Sequence, residues 1–394
     1  MSMVRAERMQ AIADGYVEAQ KYAGIEWSVE VGGEEVLSGQ SGFADAAAKT
    51  AIPDGAIYRI YSMTKPIVSL LALILAEQGK LHLYDMVAQH DKRFGKLRVL
   101  TTDGDILPLL RPVTVEDLIT HRAGFSYEFI PGCHVAPYYR EANIIADGDR
   151  SLDDMMGALA QQPLAFQPGT SWRYGVSIDV LAHVCQCATD RSLFDLLKEY
   201  IFDPLGMVDT AYGVSEEKRA RLMPMYGVGD LSALPALELT PQTLEPLNVD
   251  DMHPVDKPDT FQRGGHGLYS TLADYQAFAR MLIDGTAPDG TPIVSRKMHE
   301  MLRANRLPGA QVPIKIGPNA LRGYGWGLIG RVLLDQGQAM TLSGEGEFGW
   351  AGAASTHFWV DSRERMSGVV MTQYLGASLP LSDDMCTAAY QALA

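Results

Sequence analysis

Ser62-Met63-Thr64-Lys65 puts a hydroxyl and an amine three residues apart at the mouth of an apolar run, Pro66 to Leu75. S-x-x-K at a helix start is the pairing of a serine nucleophile with a lysine base, the equipment of covalent acyl transfer. Apolar residues at 67, 70, 71, 74 and 75 follow the i, i+3, i+4, i+7, i+8 spacing of a helix with a buried face. On that helix residues three apart share a face, so Lys65 can reach back toward Ser62. Pro66 fits the first turn, and Gly79 is a C-terminal stop. The serine then sits beside unpaired backbone N–H groups and the positive end of the helix dipole, a place suited to an oxyanion.

Two further segments could carry chemistry. Gln167 to Ser177 sets Tyr174 in a turn-rich loop just before a helix, and Gly349 to Thr356 sets Trp350 and Gly352 at the entry to an apolar strand. Glycine at such an entry lets backbone approach a ligand closely. A third segment, Phe261 to Thr271, is a glycine-rich turn capped by Ser270 or Thr271. It is no nucleotide loop, because no strand pattern precedes it and G-x-x-x-x-G-K-[ST] is missing. The nine histidines form no H-E-x-x-H, and no G-x-S-x-G elbow occurs, so neither a metal centre nor an α/β-hydrolase triad is expected.

The elements that must hold these residues are legible in outline. A helix over about 4–22 precedes two strands, 26–31 and 35–39, joined as a hairpin through Gly32-Gly33. Residues 57–61 lead directly into the Ser62 helix. The middle, about 90–317, is rich in helical patterns and Pro/Gly loops, with helices starting at Thr114, near Ser177 and near Thr271. Strands return at 324–329, 357–360 and 367–371, and 381–393 is helical. The predicted fold is α+β. Residues 1–90 and 318–394 build an antiparallel sheet flanked by helices, 91–317 form a mostly helical lobe, and the site lies in the cleft between them.

Composition bounds the partners. The chain has 394 residues, 47% hydrophobic and 21% charged, with a net charge of −15. That balance is ordinary for a globular protein and argues against nucleic acid or an anionic membrane surface, both of which call for a basic patch. The apolar run from Ile67 is too short to span a bilayer and holds Ser69. Cys133, Cys185, Cys187 and Cys386 lack a metal-ligand spacing and read as buried free thiols. With no apolar signal core near Met1, a cytoplasmic enzyme without cofactor is expected.

Taken together, the motifs resemble the serine β-lactamase and penicillin-binding-protein superfamily, and most closely its class C-like family VIII carboxylesterases. Ser62-Met63-Thr64-Lys65 is similar to the family's nucleophile motif, Tyr174 to the tyrosine of its Y-x-N element, and Trp350-Ala351-Gly352 to the W-x-G that such esterases carry where β-lactamases have K-T-G. Leu118 to Gly124, Pro168-Gly169, Gly265 to Thr271 and Tyr324-Gly325-Trp326 add support over about 55–375. The resemblance implies a β-lactamase/transpeptidase-like fold and a catalytic set of Ser62, Lys65 and Tyr174. It also implies an oxyanion hole of the Ser62 and Ala353 N–H groups. Trp350, Gly352, Val176, Tyr324 and His121 are then expected around the substrate.

Two departures point to the substrate. Val176 stands where a β-lactamase has the Asn that binds the substrate amide, and Trp350 replaces the lysine that pairs with a substrate carboxylate. A buried anionic or amide group would be left without partners, whereas a neutral ester would not. The expected activity is hydrolysis of small to medium acyl esters through an acyl-Ser62 intermediate, with Lys65 or Tyr174 taking the proton. The alternatives are a β-lactamase or D-amino-acid amidase or peptidase of the same fold, an acyltransferase, and a scaffold without catalysis.

Overall fold

Alternating apolar side chains at the two ends of the chain build a single sheet. Strand β1 (Gly24–Val31) pairs antiparallel with β2 (Glu34–Gly42) through Gly32 and Gly33, whose φ values of +66° and +89° are the left-handed pair that a two-residue hairpin needs. The computed structural model describes residues 3–145, 147–228, 244–316, 319–376 and 379–393. It adds β3 (Tyr324–Trp326), β4 (Arg331–Leu333), β5 (Phe348–Ala351), β6 (His357–Asp361) and β7 (Met366–Thr372). The order is β3-β4-β5-β6-β7-β1-β2, antiparallel throughout. Ile25 is registered against Thr372, so the first strand is zipped to the last of the seven.

Five helices frame this sheet and the cleft: α1 (Met3–Glu18), α2 (Thr64–Glu77), α3 (Ser177–Thr189), α4 (Leu272–Asp284) and α5 (Leu381–Ala392). Along β7, Met366 and Val370 point to one face, and Val369 and Met371 to the other. The first face is covered by α1 and α5, whose Met9, Ala13, Met385 and Ala389 pack with Trp27 and Trp359. The second is covered by α4, with Tyr275 and Phe278 against Phe358 at ring-centroid distances of 5.2 and 6.3 Å.

Residues 64–75 are buried all round, as expected of a helix apolar on every side, and α2 packs against α3 among the helices rather than on the sheet. Conversely α4, from within the 91–317 interval, lies on the sheet. Sequence interval and spatial layer therefore diverge at these two helices, because each follows its apolar surface and not its neighbours in the chain. Thr114 caps its helix through a reciprocal box with Asp117, and Thr271 caps α4. Cys133, Cys185 and Cys386 are buried, but Cys187, expected with them, is exposed near the end of α3. No helix among the described residues is long and apolar enough to cross a membrane.

Strand Ile57–Arg59 pairs antiparallel with Tyr269–Thr271, which draws the glycine-rich loop up to the Ser62 turn. The Ile60 N–H donates to Leu268 O at 3.1 Å, and the Leu268 N–H donates to Thr64 Oγ1 at 3.3 Å.

The sheet tolerates no side chain at Gly368, where a Cβ would overlap the fully buried indole of Trp359. Gly368→Ala is expected to destabilise the fold by about 1–3 kcal/mol, the usual range for overpacking a closed core, measured by urea unfolding.

Candidate active site

The nucleophile turn is built to expose one atom. A 3₁₀ turn over Tyr61–Met63 opens α2, and within 61–75 only Ser62 is not buried. Tyr61 has φ +42°, a left-handed backbone that a bulky aromatic adopts only under strain of about 1–3 kcal/mol. Its ring is pinned among Met225, Val249, Ala354 and Leu375, with the His253 ring 5.0 Å away, and this packing holds the strained turn in place.

Lys65 is 2% exposed, and its amine is satisfied inside the protein. Nζ donates to Ser62 Oγ at 3.0 Å and to Gly265 O at 2.5 Å. It also lies over the rings of Tyr174 and Tyr127, at 4.7 and 5.2 Å from their centroids. The predicted Ser62–Lys65 pairing is thus present. The glycine-rich loop, which has no nucleotide-binding pattern, supplies the carbonyl that completes it.

Tyr174 comes from the loop before α3, tied down from two sides. The Arg173 N–H donates to His121 O at 2.9 Å, and Gly175 packs so tightly on Ser126 that a Cβ would lie 2.6 Å from its Cα. Trp350 on β5 donates from Nε1 to Tyr174 Oη at 3.0 Å. The neutral indole therefore serves the phenol oxygen at the position where the resemblance put a cationic lysine in β-lactamases. Trp326, Trp172 and His121 complete an aromatic box, with ring centroids 6.4, 6.4 and 4.9 Å from that of Tyr174.

Ser62, Tyr174, Tyr324, Trp350, Gly352 and Ala353 all line one cavity of about 770 Å³. Phe129, Ile316 and Leu321 supply apolar wall, and the size falls in the range of small-molecule sites. Gly352 brings the end of β5 onto the nucleophile turn: a Cβ there would overlap Thr356 Oγ1 and come to 2.5 Å of Ile60 O. Ala353 follows directly and lines the same cavity as Ser62.

Two expected residues fall elsewhere. Val176 is wholly buried in the core at the start of α3 and does not line the cavity, because the chain has already turned inward to begin the helix. His121 is likewise fully buried behind Tyr174, wedged against Trp326 and Trp172, so it supports the phenol instead of meeting substrate. Tyr324 lines the cavity, with its hydroxyl donating to Glu347 at 3.3 Å and the Arg331 guanidinium over its ring. Sequence reasoning missed Gly265, Tyr127 and Asp179. The Gly264-Gly265-His266-Gly267 stretch was the available signal for the first, since close backbone approach is what such glycines permit.

Burial governs the imidazoles. It drives His121 and His357 well below the usual histidine range, helped by the nearby Lys65 and Arg331 respectively, and holds His253 down to about 3, helped by Arg59. All three are neutral in the folded protein at neutral pH. Among the described residues no cluster of three or more His, Cys, Asp or Glu is placed to hold a metal ion.

A serine on a helix-opening turn, a buried lysine one turn on and a phenol from the loop before α3 thus meet at one cavity in the S-x-x-K arrangement. The chain belongs to the Beta-lactamase family, whose model matches residues 9–385. It is 29% identical to Esterase EstB of Burkholderia gladioli over 406 residues, covering 98% of this chain and 95% of that one. It is 30% identical to Protein Rv1367c of Mycobacterium tuberculosis over 328 residues, covering 81% and 78%. The solved structure of "EstCE1, a hydrolase with promiscuous acyltransferase activity" superposes with a TM-score of 0.83 at 22% identity, covering 99% of this chain and 100% of that one, and it confirms the fold.

Trp350→Phe keeps an aromatic ring but removes the indole N–H that reaches Tyr174 Oη, so turnover should fall about tenfold or more, with a stability cost of about 1–3 kcal/mol for the smaller ring. Steady-state kinetics beside a thermal melt will check this. The buried imidazoles give a second expectation. Above their unfolded pKa of about 6.5 they are neutral in both states; below it only the unfolded chain takes up protons. Stability is therefore eroded as pH falls from about 6.5, by up to about 1.4 kcal/mol per pH unit for each. Melts from pH 7 to pH 5 should show the decline, and a His357→Asn variant should show a shallower one.

Proposed function

We propose that this protein is a serine esterase that cleaves small to medium neutral acyl esters through an acyl-Ser62 intermediate. The observation that carries the reading is the 3.0 Å hydrogen bond from buried Lys65 to Ser62 Oγ, at the floor of a cavity where Trp350 meets Tyr174 with a neutral donor. Ser62 Oγ attacks the ester carbonyl while its proton passes to Lys65, which is hydrogen-bonded to it, or to Tyr174, which lines the same cavity. The oxyanion is received by the backbone N–H groups of Ser62 and Ala353, and loss of one such donor typically costs about two to three orders of magnitude. The C–O bond to the alcohol then breaks, and the alcohol leaves with the proton. Water repeats the sequence on the acyl-enzyme, releasing the acid and restoring Ser62.

Ester rather than β-lactam or peptide substrates are supported by side-chain chemistry. Trp350 is committed to Tyr174 and presents no cation, and Val176 is buried where an amide-binding Asn would be needed. The esterase name of the Burkholderia gladioli relative points the same way. A net charge of −15 supports a small molecule, not nucleic acid or an anionic membrane surface, as partner, and four free cysteines suit the reducing cytoplasm.

With p-nitrophenyl butyrate as substrate, Ser62→Ala should abolish turnover, while Lys65→Ala and Tyr174→Phe should each lower it by at least about a hundredfold. Intact-protein mass spectrometry after mixing with esters and with nitrocefin should show acylation at Ser62 by the esters first. Faster turnover of nitrocefin than of the ester would replace this reading with a β-lactamase.

A further inference from the structure

Asp179 is an acid with no part in the acyl transfer just described. It lies in the first turn of α3, five residues after Tyr174, and is completely buried. Its Oδ1 accepts the Gly265 N–H at 2.8 Å, and Oδ2 has no hydrogen-bond partner among the described residues. Oδ2 lies against the Gly265 Cα, where a Cβ would overlap it and would stand 3.0 Å from Tyr127 Oη. The carbonyl of this same glycine receives Lys65 Nζ. A backbone residue with no side chain is thus gripped on its N–H by a carboxylate and on its C=O by the amine that touches Ser62. A wholly buried carboxylate is expensive to keep, which points to a role beyond packing.

We propose that Asp179 is a positioning residue of the acyl-transfer site, holding the Gly265 carbonyl on Lys65 and, through its charge, favouring the protonated amine. The proposal rests on the reading of Ser62 and Lys65 as the reactive pair. The charge environment is compact. Asp179 faces Lys65 from α2, the fully buried Arg263 from the glycine-rich loop, and the phenols of Tyr127 and Tyr212. Burial raises the Asp179 carboxyl, and the Lys65 and Arg263 charges oppose that rise. Lys65 in turn faces Tyr174 and Tyr127 through its ring contacts, and His121 and His266, both pushed well down, chiefly by burial. Asp179 is therefore the carboxyl group of this shell.

Asp179→Asn retains an oxygen for the Gly265 N–H and removes the charge. An anion stabilises positive charge beside it, so its loss disfavours cations in the site. One limb of the kcat/KM–pH profile should therefore move to lower pH by about one unit. A folded, active variant with both limbs unmoved, or moved upward, overturns the proposal. A melting cycle provides a readout independent of turnover: Asp179→Asn should cost less stability on a Lys65→Ala background than in the wild-type chain, because the carboxylate there has lost its cation. Equal losses in both backgrounds would make Asp179 a packing residue only. If Asp179→Asn alone does not fold, folding of the double variant supports the coupling and its failure refutes it. Wild-type protein whose Ser62 a fluorophosphonate leaves unlabelled would sink the esterase reading, while the melting cycle still decides the Asp179–Lys65 link.

Discussion

An amine withdrawn from water must find partners or lose its charge, and the site is arranged around that requirement. Lys65 is buried because α2 is apolar on every side, and it stays useful because its hydrogen bonds run to Ser62 Oγ and to Gly265 O. Everything nearby follows from serving that nitrogen. The glycine-rich loop is drawn in by the short pairing of Ile57–Arg59 with Tyr269–Thr271. Two phenol rings close over the amine, and the nucleophile turn accepts a strained backbone at Tyr61 to leave Ser62 facing the cavity.

Tyr174 is held by a different physics. Its ring sits among Trp172, Trp326, Trp350 and His121, where large flat surfaces pack with little conformational freedom to lose. The oxygen takes a hydrogen bond from the Trp350 indole, a donor that carries no charge. Trp350 thus orients the phenol and fills space, and it presents no cation to attract an anion.

The sequence made the chemistry legible where spacing alone determines geometry. Ser62 and Lys65 share a helix face by their separation of three, and the hairpin turn at Gly32-Gly33 needed only local rules. The long apolar helix, the caps at Thr114 and Thr271 and the outline of the sheet came from the same kind of pattern. What stayed hidden depends on contacts far apart in the chain. Val176 and His121 sit beside motif residues in the chain yet are turned inward by the start of α3 and by the aromatic box. Gly265 and Asp179 lie about 200 and 120 residues from the serine, and only the tertiary fold joins the carboxylate to the Gly265 N–H and the Gly265 carbonyl to Lys65.

The zipping of β1 against β7 has a consequence for the life of the chain. Residue 25 waits for residue 372, and the cavity wall at Trp350 to Ala353 is supplied by a late segment as well. Ribosomes deliver the N-terminal end first. A nascent polypeptide therefore displays the Ser62 hydroxyl and the Lys65 amine long before the strand that completes the cavity around them has been synthesised.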